Sequence, residues 1–449
     1  MTSRALLTDL YQLTMLQAYW RSALTREAVF ELSVRALPRQ RNFLMAAGLA
    51  QALDYLAGLR FSEADIAWLW ETGLFGKEFV EHLEGLRFTG EVRALPEGAV
   101  FFSGEPVLRV TAPLEQAQLV ETRLLNIIGF QSSVASKAAR CVLAARGRGL
   151  AEFGLRRAHG GEAGIWAARA SWLAGFTGTS AAEASRLYGI PVLGTMSHSF
   201  VLAHREEGEA FAAFARANPG RAAFLLDTYD VAAATERAVA AALELRARGG
   251  RLEAVRLDSG DLAGQARAVR RRLDAAGLRE VRILASGDLD ERSVRDLVAA
   301  GAPIDGFGIG TRLSTCADAP VLDAVYKLEE YAGQPRRKRS AGKATWPGRK
   351  QVWRRFEGGL MAGDVVALEG ESAEGLPLLE PVMRKGRRLS GLPGLEESRE
   401  HARRALESLP DALRGLEPAR PYPVEISAGI RAAAARADAE LERLQAVVR

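Results

Sequence analysis

What most constrains this chain is a pattern that repeats through its middle. A short apolar run stops at a polar or glycine-rich cluster, and a helical pattern follows. The clearest instance is Leu252-Glu253-Ala254-Val255-Arg256-Leu257-Asp258-Ser259-Gly260-Asp261-Leu262, after which Leu262, Ala266 and Val269 keep helical spacing. The same pattern occurs at residues 151–157, 192–199, 224–230, 283–288 and 304–312. Strands that all end in polar clusters suit a β/α barrel, whose strand ends converge on one rim where chemistry is done. An open doubly wound sheet would gather its polar ends at a single switch point. The pattern therefore predicts an α/β fold built on a barrel.

At 449 residues the chain is too long for one compact core, so two or three domains are expected. Residues 4–20 read as a helix starting near Thr8 or Asp9, and residues 28–35 alternate as a strand. A basic turn at 38–42 precedes a helix expected over 43–56, and 61–86 reads as helix broken at Gly73 and Gly76. From Gly90 to Thr111 the pattern is β, and 115–145 is helical, carrying Asn126, Lys137 and Arg140. After Leu313 the repeating units end. The basic cluster at 336–343 has no aromatic stacking platform, so it reads as a solvated loop or the lip of an anionic pocket, not a nucleic-acid surface. A final helix is expected from about Ser427.

A hydrophobic share of 48% and a charged share of 26% exclude a disordered chain. Cys141 and Cys316 are too few for a disulfide framework, and neither has metal-site spacing. There is no apolar run of membrane length and no signal-peptide layout at the N-terminus, so a cytoplasmic protein without a membrane partner is expected.

The predicted rim carries cations at Arg156, Arg157, Arg256 and Arg312, acids at Asp227, Asp230, Asp258, Asp261 and Asp288, and one histidine, His198. In barrels the last two strand ends commonly cradle a phosphate. Ser286 and Gly287, then Gly308, Gly310 and Thr311, stand in that place. The aspartates suit a divalent ion held partly through waters, as Mg²⁺ prefers, although Asp261 reads as a helix cap. Arg256 and Asp258 are two apart and so share a strand face. Burying that pair inward points to a ligand-binding arginine. His198 suits a base, a metal ligand or a phosphoryl acceptor, with a structural role as the plain alternative; it lacks the second ligand a zinc site needs. No rim strand carries the lysine of a Schiff-base aldolase. The inventory points to phosphorylated-sugar chemistry.

Six motifs occur in order: residues 9–15 (Asp9 to Met15), 152–158 (Glu152 to Ala158), 175–180 (Gly175 to Ser180), 194–199 (Gly194 to Ser199), 227–230 and 256–262. Together they resemble the nicotinate phosphoribosyltransferase family. The resemblance implies an irregular β/α barrel over 126–330, an N-terminal α/β domain over 1–125, and a C-terminal extension over 331–449 packing on that domain. It implies that nicotinate and 5-phosphoribosyl 1-pyrophosphate are joined with coupled ATP hydrolysis, Mg²⁺ as cofactor, and a homodimer that shares its active sites. Residue by residue, His198 matches the histidine that ATP phosphorylates, and Asp227 and Asp258 the acidic groups near it and the metal. Phe153 matches the aromatic that stacks on the pyridine ring, and Tyr11 the aromatic from the partner subunit. Arg156 and Arg256 match binders of anionic groups, and Gly287, Gly308 and Gly310 the 5′-phosphate loop. Arg157 with the turn containing Thr179 would form the floor for the nicotinate carboxylate. The family pattern Thr-Ser-Asn is replaced by Thr179-Ser180-Ala181, which removes one polar side chain from that turn. A nicotinamide-using relative is the nearest rival and a non-catalytic metabolite-binding barrel the next.

Overall fold

The computed structural model describes residues 5–340 and 343–448. The chain folds into two compact units, one of Met1–Ser133 with Val321–Arg449, the other of Val134–Pro320. The long helix Glu121–Ala145 carries the chain from the first to the second.

The first unit is built on a seven-stranded sheet. Its order runs Gln334–Pro335, Ala324–Tyr331, Glu27–Val34, Pro106–Pro113, Glu91–Ala94, Glu380–Arg384, Arg387–Arg388. Glu27–Val34 is predicted to alternate, yet it is buried at nearly every position. It lies between two long neighbours, with Phe30 stacked on Tyr326 at 5.0 Å, and a central strand covered on both faces needs no polar side. The helix expected over 43–56 starts later, as Leu49–Ala57, because Leu44–Met45 is a strand paired with Val100–Phe101. A short buried apolar run does not reveal its period. The N-terminal helix is Leu10–Arg21 and the last helix Ala428–Val448. The basic cluster is not simply solvated. Arg337 donates to Asp438 at 3.2 Å and Arg339 to Glu442 at 3.1 Å, both on the last helix; positions 341 and 342 lie outside the described residues.

The second unit holds a curled parallel sheet of six strands. From edge to edge they are Gly178–Thr179, Gly149–Glu152, Gly306–Ile309, Arg282–Ala285, Leu252–Leu257 and Ala222–Leu225. Ala222–Leu225 and Gly306–Ile309 are buried throughout, as parallel strands covered by helices should be. Asp230, Asp261 and Asp290 cap the helices that follow three of the strands, each accepting backbone N–H bonds. The strand expected near 192 is reduced to one bridge, Val192 to Thr179, and Gly178–Thr179 supplies the strand instead. Pro191 has no N–H to give and Gly194 no side chain to pack. The barrel is therefore irregular: between Val192 and Ala222 the chain runs through helices instead of a strand, and among the described residues the ring is left open there. No described helix is long and apolar enough to cross a membrane.

Candidate active site

The site is assembled at the C-terminal ends of these parallel strands. Register fixes its base: Arg256 lies beside Leu225 on one side and Leu284 on the other. Two residues on, Asp258 leaves the same strand end. Arg256 Nη2 approaches Asp258 Oδ1 at 3.3 Å, and Nη1 donates to Thr195 Oγ1 at 2.6 Å. Arg256 and Asp258 therefore meet, as two residues sharing a strand face can, and Arg256 is braced from the 194–199 segment.

His198 opens a short helix over that pair, with Ser197 before it. Its Nδ1 is 3.2 Å from Thr228 Oγ1 and its Nε2 is 4.0 Å from Asp258 Oδ2, while the ring stays 43% exposed. Asp227 Oδ2 accepts the Asp258 N–H at 3.2 Å and the Ser259 hydroxyl at 2.6 Å. Ser286 donates to Asp258 Oδ1. Thus one connected set holds His198, Thr228, Asp227, Asp258, Arg256, Thr195 and Ser286. Two buried atoms in it have no hydrogen-bond partner, Asp227 Oδ1 and Arg256 Nε. Orphaned groups of opposite polarity in one hydrogen-bonded set are what a bound ligand would satisfy. Among the described residues no cluster of three or more metal-ligating side chains exists. A divalent ion at Asp227 and Asp258 would therefore draw its other ligands from water and substrate, which suits Mg²⁺.

A second group lies on the neighbouring strand end. Ala151 and Phe153 face a cleft of about 690 Å³ inside the curled sheet, which Thr195, Arg256 and Gly308 also line. A Cβ on Gly308 would stand 2.5 Å from the Phe153 ring, so the ring lies flush against the strand because that residue has no side chain. Glu152, one residue out of phase, faces the other way and is fully buried. It accepts the Gly154 N–H and, at 2.6 Å, the Thr179 hydroxyl, which joins the Phe153 turn to the Thr179 turn. Burial pushes the Glu152 carboxyl above its ordinary range against the pull of those two donors. Sequence reading did not single out Glu152; a carboxylate ending an otherwise apolar buried strand was the available signal.

Gly287 and Asp288 both sit at positive φ, at 101° and 50°, in the turn after Ser286. Arg312 donates to Asp288 Oδ2 at 2.7 Å, which links this turn to the one through Gly310 and Thr311. A buried ionic cluster joins the residues that follow each turn in the chain. Lys137 Nζ reaches Glu291 at 2.6 Å and Asp318 at 3.0 Å, and Arg140 reaches Glu291 at 3.2 Å. Burial works against the Lys137 charge, but the Glu291 and Asp318 carboxylates outweigh it and hold its pKa above the ordinary lysine range.

Other predicted residues stand apart. Arg156 and Arg157 lie on an exposed 3₁₀ turn, with no ion pair among the described residues. Tyr11 belongs to the first unit, on the Leu10–Arg21 helix, and is 49% exposed. Asp230 and Asp261 are helix caps. Thr195, Thr228 and Ser259 are partners that sequence reading left unassigned.

Comparison with known proteins agrees along the chain. Family profiles match residues 6–129 as nicotinate phosphoribosyltransferase N-terminal domain, 149–334 as nicotinate phosphoribosyltransferase family and 373–433 as nicotinate phosphoribosyltransferase C-terminal domain. The chain is 50% identical over 428 residues to nicotinate phosphoribosyltransferase pncB2 of Mycobacterium tuberculosis, covering 94% of this chain and 91% of that one. It is 40% identical over 362 residues to nicotinate phosphoribosyltransferase of Bacillus subtilis, covering 78% and 73%. The crystal structure of human nicotinic acid phosphoribosyltransferase superposes with a TM-score of 0.85 at 32% identity, covering 95% of this chain and 98% of that one.

Proposed function

The chain belongs to the nicotinate phosphoribosyltransferase family, and from that premise we propose that its barrel site joins nicotinate to 5-phosphoribosyl 1-pyrophosphate with coupled ATP hydrolysis, in the cytoplasm. The products are nicotinate mononucleotide and pyrophosphate, the entry of nicotinate into NAD salvage. One observation carries the reading: His198, Asp258 and Arg256 form a connected set beside the cleft lined by Phe153 and Gly308.

In this reading the pyridine ring lies on Phe153, and Arg157 with the Thr179 turn faces the nicotinate carboxylate. Ser286 and Gly287, with Gly308, Gly310 and Thr311, hold the 5′-phosphate. Arg156 and Arg256 take anionic oxygens, and the unpaired Arg256 Nε supplies a donor for the pyrophosphate. The pyridine nitrogen attacks C1 as pyrophosphate leaves, through an oxocarbenium-like ribose. The protein's work is therefore positioning and stabilising the departing charge. A magnesium ion, when bound, neutralises the pyrophosphate; Asp227 and Asp258 would hold it, Asp227 Oδ1 being the free oxygen.

His198 is the phosphoryl acceptor. With Nδ1–H donating to Thr228, the Nε2 lone pair is free to attack the γ-phosphorus of ATP, with ADP as leaving group. The new negative charge stands beside the cations that bind pyrophosphate. A homodimer completes the site with Tyr11 of the partner. Leu7, just before the Leu10–Arg21 helix, and Leu10 and Tyr11 in its first turn are 47%, 52% and 49% exposed, an apolar surface suited to burial by a second copy.

The test is turnover with Mg²⁺ and 5-phosphoribosyl 1-pyrophosphate, offering nicotinate and nicotinamide separately, with and without ATP. Nicotinate turnover boosted by ATP is expected, and His198→Ala is expected to abolish the boost and the ADP formed with it. Unchanged ATP stimulation in that variant would remove the phosphohistidine step. Turnover of nicotinamide alone would overturn the choice of substrate.

A further inference from the structure

The seven-stranded sheet of the first unit carries a cleft of about 680 Å³, lined in part by Glu91, Arg109, Thr111 and Arg349 and bordered by the turn at 384–387. We propose that it is a second anion site, taking a phosphorylated, hydroxyl-bearing small molecule of the nucleotide or sugar-phosphate class. The proposal is independent of the chemistry assigned to the barrel.

The argument is one of charge balance. The carboxylates that line the cleft are already matched. Glu369 is 2.7 Å from Arg109, Glu27 is 2.7 Å from Arg349, and Glu91 is 3.5 Å from Arg93. Arg384, Lys385 and Arg387 line the same cleft, are exposed, and have no carboxylate partner among the described residues. Arg384 and Arg387 are register partners across the hairpin, a placement in which like charges repel. Lys385 between them sits at φ 48°, where glycine or asparagine is favoured.

The turn is also fixed in place. The Gly386 N–H donates to Gly90 O at 2.9 Å, and a Cβ on Gly386 would stand 2.0 Å from the Phe88 carbonyl oxygen. The hairpin backbone is seated on the sheet, which keeps the three cations based at one rim of the cleft. An anion between them would relieve their repulsion through charge-assisted hydrogen bonds. The volume suits a small molecule. Elsewhere in the lining, Glu27, Glu91 and Thr111 offer acceptors for hydroxyl groups. A ligand with a phosphate and a hydroxyl-bearing group matches both parts of the lining.

The experiment is calorimetric titration of the full-length protein with pyrophosphate and with ADP, in metal-free buffer at moderate salt. The wild type is expected to show two classes of site per chain. Arg384→Ala/Arg387→Ala is expected to lose one class, with at least tenfold weaker binding and unchanged turnover, while Arg256→Ala weakens the other. Lys385→Gly, which removes a cation and suits the backbone, is expected to weaken the first class with no fall in thermal midpoint. ADP is expected to bind this class more tightly than pyrophosphate. Isotherms of the double variant that superimpose on wild type would overturn the site. ADP no tighter than pyrophosphate would overturn the hydroxyl-bearing class of ligand.

Discussion

A methyl group on Gly308 would stand 2.5 Å from two carbons of the Phe153 ring, well inside contact distance. Gly308→Ala is therefore expected to push the ring into the space proposed for nicotinate. A displacement of about 1 Å should lower kcat/KM for nicotinate on the order of 100-fold. The ring can move within an open cleft, so the unfolding midpoint should change little. Steady-state kinetics and a thermal melt on the same sample separate the two effects, and unchanged kinetics would dissociate Phe153 from the pyridine ring. Some of this residue-scale detail is legible in sequence. Side-chain alternation gives Arg256 and Asp258 a common face, and helical spacing marks Asp261 as a cap. The contact between His198 and Thr228 is not legible, because 30 residues separate them.

At the scale of elements, two buried ionic groups lock neighbouring segments together. In the second unit, Lys137 ties the Glu291–Ala299 helix to Asp318. Lys137→Met leaves two buried carboxylates short of a cation and is expected to cost about 3–5 kcal/mol, read by urea denaturation. A loss below about 1 kcal/mol would mean that Arg140 alone carries the network. In the first unit, Lys350 Nζ is 2.7 Å from Glu31 and 3.7 Å from Glu329. Burial, opposed by Lys350 and assisted by Glu31, pushes the Glu329 carboxyl up to about 8, from 4.5. Between those values the unfolded chain releases a proton that the folded chain retains. The stabilisation is full below about pH 4.5 and is lost as pH rises through about 8. Glu329→Gln should flatten that part of the stability profile, as thermal melts from pH 5 to about 9 can check. Lys137 and Lys350 could be read as charged residues in helix and strand, but not as buried struts, since burial depends on what packs over them.

For the whole molecule, the proposed dimer shares each site between two chains. Tyr11→Ala and His198→Ala should each lack ATP-stimulated turnover alone, and that turnover is the readout of the complementation. Co-expressed, mixed dimers would hold one intact site and one doubly altered site. Random assortment should then restore about a quarter of wild-type activity. Recovery at background level would mean that each chain builds its site alone. The order of units along the chain has a related lesson. Residues 1–133 and 321–449 form one compact unit and the contiguous 134–320 the other, so the first unit draws on both ends of the chain. Its Glu27–Val34 strand pairs with Ala324–Tyr331, far along the chain.

The sequence by itself determined what is local or periodic: parallel strands ending in polar turns, the caps after them, the glycines where backbones approach, and the ordered motifs that identify the family. Tertiary structure decided what depends on register and packing. It set Arg256 against Thr195 across 61 residues and turned Glu152 outward to tie Phe153 to Thr179. It also left the barrel ring open where Pro191 and Gly194 interrupt the expected strand. The physical reason is range. Side-chain alternation and helix capping act over a few residues, whereas parallel register brings together strand ends that the sequence keeps tens of residues apart.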